Sequence, residues 1–178
     1  MSRVGAVAWG VVPHVPEPPF RLYAGTEVEP ITVPDAATLV EPARVAPGAD
    51  AEHSYVVGGK IRPVLVVSDV AEPPFFEVLA LRLQRLSRLM QSEHARIRRQ
   101  ADPALFHLSP DRFPGLEESA ANIATLVRVH RDALDERSVE GRLDASELRA
   151  VHERLVRHYR FDLHDLLVQA IGRLRQSP

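Results

Sequence analysis

Apolar residues in this chain come first in short dense runs broken by proline and glycine, and later at helical spacing; the change falls between about Val129 and Asp144. That order predicts an α+β fold. Val4 to Val12, rich in small and β-branched residues, is the first expected strand, ended by Pro13. The run Val64 to Val67, behind Gly58-Gly59-Lys60-Ile61-Arg62-Pro63, reads as a buried strand closed by Ser68-Asp69. Pro63 cannot donate to a ladder and belongs at that strand's start or edge. Phe76 to Gln84 alternates as another strand, Phe106 to Leu108 is a short one, Ala120 to Val129 the last long one, and Val139 to Leu143 a brief return.

Leu86 to Gln100 has helical character. At about 100° per residue, Leu86, Met90 and Ile97 share one side, with Arg85, Arg88, Arg96 and Arg99 opposite. Asp144-Ala145-Ser146-Glu147 has the form of a capping box, with Asp144 as N-cap and Glu147 reaching back. Leu148, Val151 and Leu155 mark the buried side of the helix that follows. A second helix is expected from Asp162, its stripe formed by Leu163, Leu166, Leu167, Ala170, Ile171 and Leu174, so that residues of about 144–176 make a helical C-terminal extension. That stripe is wider than one small fold needs to cover, and it predicts a homodimer.

The chain has 178 residues, 45% of them hydrophobic, enough for one full core and too few for two ordinary domains; a single domain over 1–178 is expected. It has no cysteine, which excludes disulfides and thiolate chemistry. A net charge of −2 supplies no global field toward nucleic acid or an anionic membrane, so any anion site must be local. No segment reaches the ~18 apolar residues of a membrane span, and no targeting sequence is recognisable at the N-terminus, so a cytoplasmic location without membrane contact is expected. Residues of about 13–54 form a proline-rich, acidic insertion of local charge −5, read as a lid or a mobile linker. From Arg82 to Arg99, six arginines against Glu93 give +5.

Arg62 is the leading candidate for chemistry. A guanidinium presented at the rim of a strand offers a planar, five-donor fork suited to a phosphate or carboxylate; the alternative is a surface arginine paired with a nearby acid. The eight histidines have none of the spacings of a metal site, and Gly58-Gly59 is too short for a phosphate loop, so neither a metal nor a cofactor is expected.

The Arg62-Pro63 strand opening, the apolar strand ending at Ser68, the turn Glu117-Glu118-Ser119-Ala120 into a strand, and Gly141-Arg142-Leu143-Asp144-Ala145-Ser146-Glu147-Leu148 with its helix occur in the order seen in MazF/PemK-like toxins. The chain resembles an enlarged member of that superfamily, over Val57 to about Arg157 with gaps and, weakly, Val4 to Val12. The resemblance implies a small SH3-like β-barrel with C-terminal helices, usually a homodimer, acting as a metal-independent endoribonuclease on single-stranded RNA, with an antitoxin protein as partner. It implies a catalytic role for Arg62. The family's second catalytic position, usually threonine or serine, falls at about Gln84. An amide cannot replace a hydroxyl in proton transfer, so three outcomes stay open: Gln84 steadies the phosphate, Ser87 supplies the hydroxyl, or a barrel that binds RNA or a peptide has lost cleavage. Lys60, Arg82, Arg85, Arg88, Arg96 and Arg99 are the expected RNA-backbone contacts.

Overall fold

The computed structural model describes residues 3–14, 17–24, 28–35, 37–38, 53–70, 77–135 and 141–159. Among the described residues, nine strands are β1 (Val7–Pro13), β2 (Phe20–Ala24), β3 (Ile31–Val33), β4 (His53–Tyr55), β5 (Gly59–Val70), β6 (Glu77–Arg85), β7 (Leu105–Leu108), β8 (Ser119–His130) and β9 (Leu134–Asp135). Two helices among the same residues are α1 (Gln91–Arg98) and α2 (Ala145–Tyr159). The expected strands at Val4 to Val12, Val64 to Val67, Phe76 to Gln84, Phe106 to Leu108 and Ala120 to Val129 are matched by β1, β5, β6, β7 and β8, and the helix after Asp144 is present, in a mixed α and β fold with a mostly antiparallel sheet; of the brief return expected over Val139 to Leu143, Val139 and Glu140 lie outside the described residues and Arg142 makes only an isolated bridge to Ala6. The chain divides into two compact units, residues 1–11 with 61–178, and residues 12–60.

Six strands form one sheet in the order β7-β8-β6-β5-β1-β9. Val64, Leu65, Val66 and Val67 are all buried, because apolar side chains cover both faces of β5. On one face, Leu65, Val67, Leu81, Leu83, Phe106 and Leu108 pack with Val151 and Leu155 of α2. On the other, Val66, Val78 and Val129 form one small cluster, and Leu86, Ile97 and Ala120 another. Pro63 lies inside β5 rather than at its start. It falls one residue before the first β6 rung, Val64 opposite Arg82, and so outside the run paired with β6.

Two irregularities bend this sheet. Val66 faces Ala80 while Ser68 faces Leu79, which leaves Val67 as an extra residue in β5. The β6–β8 ladder jumps from Leu81–Leu126 to Leu83–Ala121, and the spare residues of β8 are folded locally: Asn122 Oδ1 accepts from Ala124 N–H at 3.0 Å and Thr125 Oγ1 donates to Asn122 O at 3.0 Å. The jump lies opposite Arg82.

The capping box forms as expected. Asp144 Oδ1 accepts from the N–H groups of Ser146 and Glu147 at 2.9 Å each, and Glu147 Oε2 accepts from Asp144 N–H at 2.8 Å. The Ser146 hydroxyl and the Glu147 N–H hold the Asp144 carboxyl below the ordinary carboxylate range. Gly141 sets the entry angle: its φ is 104°, and a Cβ there would lie 2.2 Å from Arg112 O. Further along α2, the guanidinium of Arg154 donates to the carbonyls of Asp102, Leu105 and Gln100, tying the helix to the β7 edge. At that edge the side chain of Gln100 both donates to His107 O (3.0 Å) and accepts from His107 N–H (3.2 Å).

Two expectations change. Leu86 to Gln100 is not one helix: Leu86–Arg88 is a 3-10 turn, Met90 is extended at ψ 133°, and α1 starts at Gln91. Leu86 and Ile97 do share a cluster, but Met90 is 68% exposed, because the break ends the helical phase that would have aligned it. Within the segment read as a lid or linker, the unit 12–60 holds a second antiparallel sheet, β3-β2-β4, with Phe20 opposite Val33 and Leu22 opposite Tyr55. Its prolines punctuate rather than unfold. Pro30 and Pro34 bracket β3, and Leu22 and Val33 are buried. Residues 39–52, with Glu41, Asp50 and Glu52, and the expected helix from Asp162 with its dimer stripe lie outside the described residues.

Candidate functional site

Strand register brings the two leading candidates together. Val64 pairs with Arg82, the last rung between β5 and β6, and Gln84 with Ala120, so extrapolating that register by two residues, past the unpaired Pro63, puts Arg62 level with Gln84. On the other side of β5, Val66 N–H donates to Ala6 O at 2.9 Å and His14 N–H to Gly58 O at 2.8 Å, an antiparallel register that sets Arg62 opposite Gly10. One row therefore crosses the sheet: Leu134, Gly10, Arg62, Gln84, Ala120 and His107. Directly opposite side chains share a face with Cβ atoms about 4.5–5.5 Å apart, and Arg82 is one diagonal step from Arg62, about 7–8 Å away. Arg62, Arg82 and Gln84 thus converge on one sheet face.

Arg62 is half-buried, and its Nε is shielded from solvent with no hydrogen-bond partner among the described residues. A buried donor of a charged group left unmatched is costly, and an anion on this face removes that penalty. Gly10, opposite, adds no side chain of its own to the row; a Cβ there would meet Leu134 Cδ2 at 2.6 Å.

The remaining sequence candidates are placed differently. Ser87 sits in the 3-10 turn past the end of β6, and its hydroxyl donates to Glu117 Oε1 at 2.9 Å. Arg85 Nε lies 3.2 Å from Glu117 Oε2. Arg96 is 2.7 Å from Asp102 Oδ2, a carboxylate only 7% exposed, and Arg99 Nε donates to Ala95 O of its own helix. Arg88 is exposed at the end of the 3-10 turn, and Lys60 is exposed in β5 within the unit 12–60.

The sequence reading missed the carboxylates that meet this basic segment. Arg98 makes two bonds of 2.7 Å to Glu118, and His107 Nε2 lies 2.9 Å from Glu118 Oε1. The Arg98 bonds hold the Glu118 carboxyl well below the usual range, at about 2, against the opposing effect of partial burial. Asp102, Glu117 and Glu118 together cut the formal excess of the Arg82 to Arg99 stretch from five positive charges to two. The signal was present: Glu117 and Glu118 immediately precede Ser119, which pairs with Arg85, so any antiparallel match of β6 to β8 delivers both acids to the basic end.

No group of three or more histidine, aspartate or glutamate side chains among the described residues is arranged to hold a metal ion, and no helix among them is long and apolar enough to cross a membrane. Comparison with known proteins finds no matching family model and no matching curated protein.

Proposed function

We propose that the Arg62–Gln84–Arg82 face binds the phosphodiester backbone of single-stranded RNA and cleaves it without a metal ion, as the resemblance to MazF/PemK-like toxins implies. The observation that carries this reading is the buried Nε of Arg62, unmatched among the described residues, on the sheet face that the extrapolated β5–β6 register shares with Gln84 and Arg82. In the reaction, the ribose 2′-oxygen forms a bond to the adjacent phosphorus, the bond to the 5′-oxygen breaks, the 2′ proton passes to water and the 5′-oxygen takes one up. The products are a 2′,3′-cyclic phosphate and a 5′-hydroxyl, so no redox partner is needed. Arg62 stays charged throughout and stabilises the charge that grows on the non-bridging oxygens. Gln84 donates its amide hydrogens to the same group. Arg82 holds the neighbouring phosphate.

The same reading takes the antiparallel sheet, with its two bulges, as the wall of an SH3-like barrel closed over by α2, and the stripe from Leu163 to Leu174 as a homodimer contact in a cytoplasmic toxin held by an antitoxin. A second reading, RNA binding without cleavage, draws on one observation: the Ser87 hydroxyl is bonded to Glu117, which leaves Gln84 as the polar partner opposite Arg62. Mixed-sequence single-stranded RNA incubated with the full chain in EDTA decides between them. Fragments ending in cyclic phosphate, absent with Arg62→Ala, support cleavage; intact RNA that is nevertheless retained by the wild type and released by Arg62→Ala supports binding alone.

A further inference from the structure

The sheet face that carries Gln84 and Arg82 continues onto β8 at the point where its ladder with β6 is interrupted. Between the rungs Leu83–Ala121 and Leu81–Leu126, β6 has one residue, Arg82, and β8 has four, Asn122 to Thr125. Such an excess re-aims the side chains beside it and is over-represented next to functional sites. Asn122 is the first of the four. It stands two residues from Ala120, which pairs with Gln84, so strand alternation sets Asn122 on the face of Gln84, one diagonal step away at about 7–8 Å. Its partner on β7 is Leu105, which packs with the Leu86, Ile97 and Ala120 cluster and so marks the same face.

The amide of Asn122 has a fixed sense. Its Oδ1 accepts from Ala124 N–H at 3.0 Å, and since an N–H donates only to an acceptor, this bond settles which end of the amide is the oxygen. Nδ2 meets no acceptor among the described residues and is open to solvent, so its two hydrogens are left for a ligand. Holding the bulge accounts for the oxygen alone. An aspartate would accept from Ala124 N–H equally well, but its charge would offset that of Arg82, level with Asn122 when the Leu83–Ala121 register is extended by one residue. The amide keeps the face cationic and adds donors to it.

Resting on the reading of this face as an RNA site, we propose that Asn122 reads the base on the ribose beside the phosphate held at Arg62 and Gln84, and that its donors select the keto bases uracil and guanine. A base stands several ångströms from its phosphate, on the far side of the ribose, which is the reach from Gln84 to a donor one diagonal step away. Uracil O4 and guanine O6 accept hydrogen bonds, whereas cytosine N4 and adenine N6 carry hydrogens that oppose those of Nδ2. In single-stranded RNA these edges are free of a pairing strand. A donor set against a donor leaves both unsatisfied, which is how one polar contact discriminates.

The test is binding of the full chain to 2′-fluoro oligouridylate and oligocytidylate of equal length, read as the fluorescence anisotropy of a terminal dye. Neither oligomer has a 2′-hydroxyl, so no cleavage follows binding. The oligouridylate should bind about fivefold more tightly, the scale of one hydrogen bond made or lost. Asn122→Asp keeps the acceptor for Ala124 N–H, and with it the bulge, but removes the donors, and should bring that ratio to one or below; its added negative charge weakens both oligomers alike and cancels in the ratio. Arg62→Ala should weaken both oligomers and leave the ratio standing, because a phosphate carries no base identity. Equal binding of the two oligomers by the wild type, or an unchanged ratio in Asn122→Asp, overturns the role of Asn122 while the RNA site stands. Failure to bind either oligomer overturns the RNA site and this inference with it.

Discussion

The two arginine groups of this molecule differ less in sequence than in what folding sets against them. Arg85, Arg96 and Arg98 form the denser cluster along the chain, yet each meets a carboxylate brought from elsewhere: Glu117, Asp102 and Glu118. Arg62, isolated in sequence, reaches the sheet face opposite Gln84 with its Nε buried and unmatched among the described residues. Charge density along a chain therefore marks where a fold needs ion pairs as readily as where it holds a ligand. Strand register decides which.

The sharpest way to break this contrast is at Arg62. Arg62→Ala should lower RNA cleavage by about a hundredfold or more, as loss of a donor to a developing oxyanion does, and Arg62→Lys should not restore it, since a point charge lacks the planar fork. Wild-type rates in Arg62→Ala, or loss of cleavage in EDTA, would refute the mechanism. Next in size, Gln84→Ala should cost about tenfold in rate, on the scale of one hydrogen bond to a charged group, while Ser87→Ala leaves the rate within about twofold. The reverse ranking would transfer the catalytic role to Ser87.

On the other side of the comparison, Glu118→Gln should destabilise the fold by about 1 kcal/mol in urea melts, a partly exposed ion pair being worth no more, with RNA affinity nearly unchanged. The pH dependence follows from sign. The Glu118 carboxyl is depressed in the folded state, so its contribution is full above the ordinary value of 4.5 and is lost as pH falls toward about 2. The stability gap between wild type and Glu118→Gln should therefore close across that acidic interval; a gap that stays constant there would dissociate Glu118 from the effect. The smallest effects belong to Arg85 and Arg96: Arg85→Ala and Arg96→Ala should change RNA affinity by less than about twofold, whereas Arg82→Ala, on the proposed RNA face, should reduce the salt slope by about one. A slope reduced by Arg96→Ala as much as by Arg82→Ala would dissolve the contrast.

What could be read from sequence was what local chemistry determines. The run from Val64 to Val67, the β6 alternation and the Asp144–Glu147 box each carry their structural cause within a few residues, and each formed. The break at Leu89-Met90 and the strands of the proline-rich unit did not show. The first depends on Leu86 settling with Ala120 of a distant strand, and the second on the backbone register that pairs Phe20 with Val33 and Leu22 with Tyr55. At the candidate site, Arg62 and Gln84 were legible as individuals, but their opposition needed the register. Glu117 and Glu118 were likewise legible only once β6 was matched to β8, because ion pairing across the residues that separate Arg98 from Glu118 and Arg85 from Glu117 is a property of the sheet and not of the segment.

The Gln100 side chain at the rim of β7 bears on how the protein behaves in a crowded solution. By occupying both the N–H and the C=O of His107, one amide imitates a neighbouring strand and leaves that stretch of edge nothing with which to recruit another molecule. The protection is achieved without a charge or a proline, at a residue whose φ of 58° is an unusual one for a side chain larger than glycine. Shortening that side chain to alanine would turn a closed border into an adhesive one, and concentrated samples would then cloud through sheet-to-sheet growth while each molecule kept its fold.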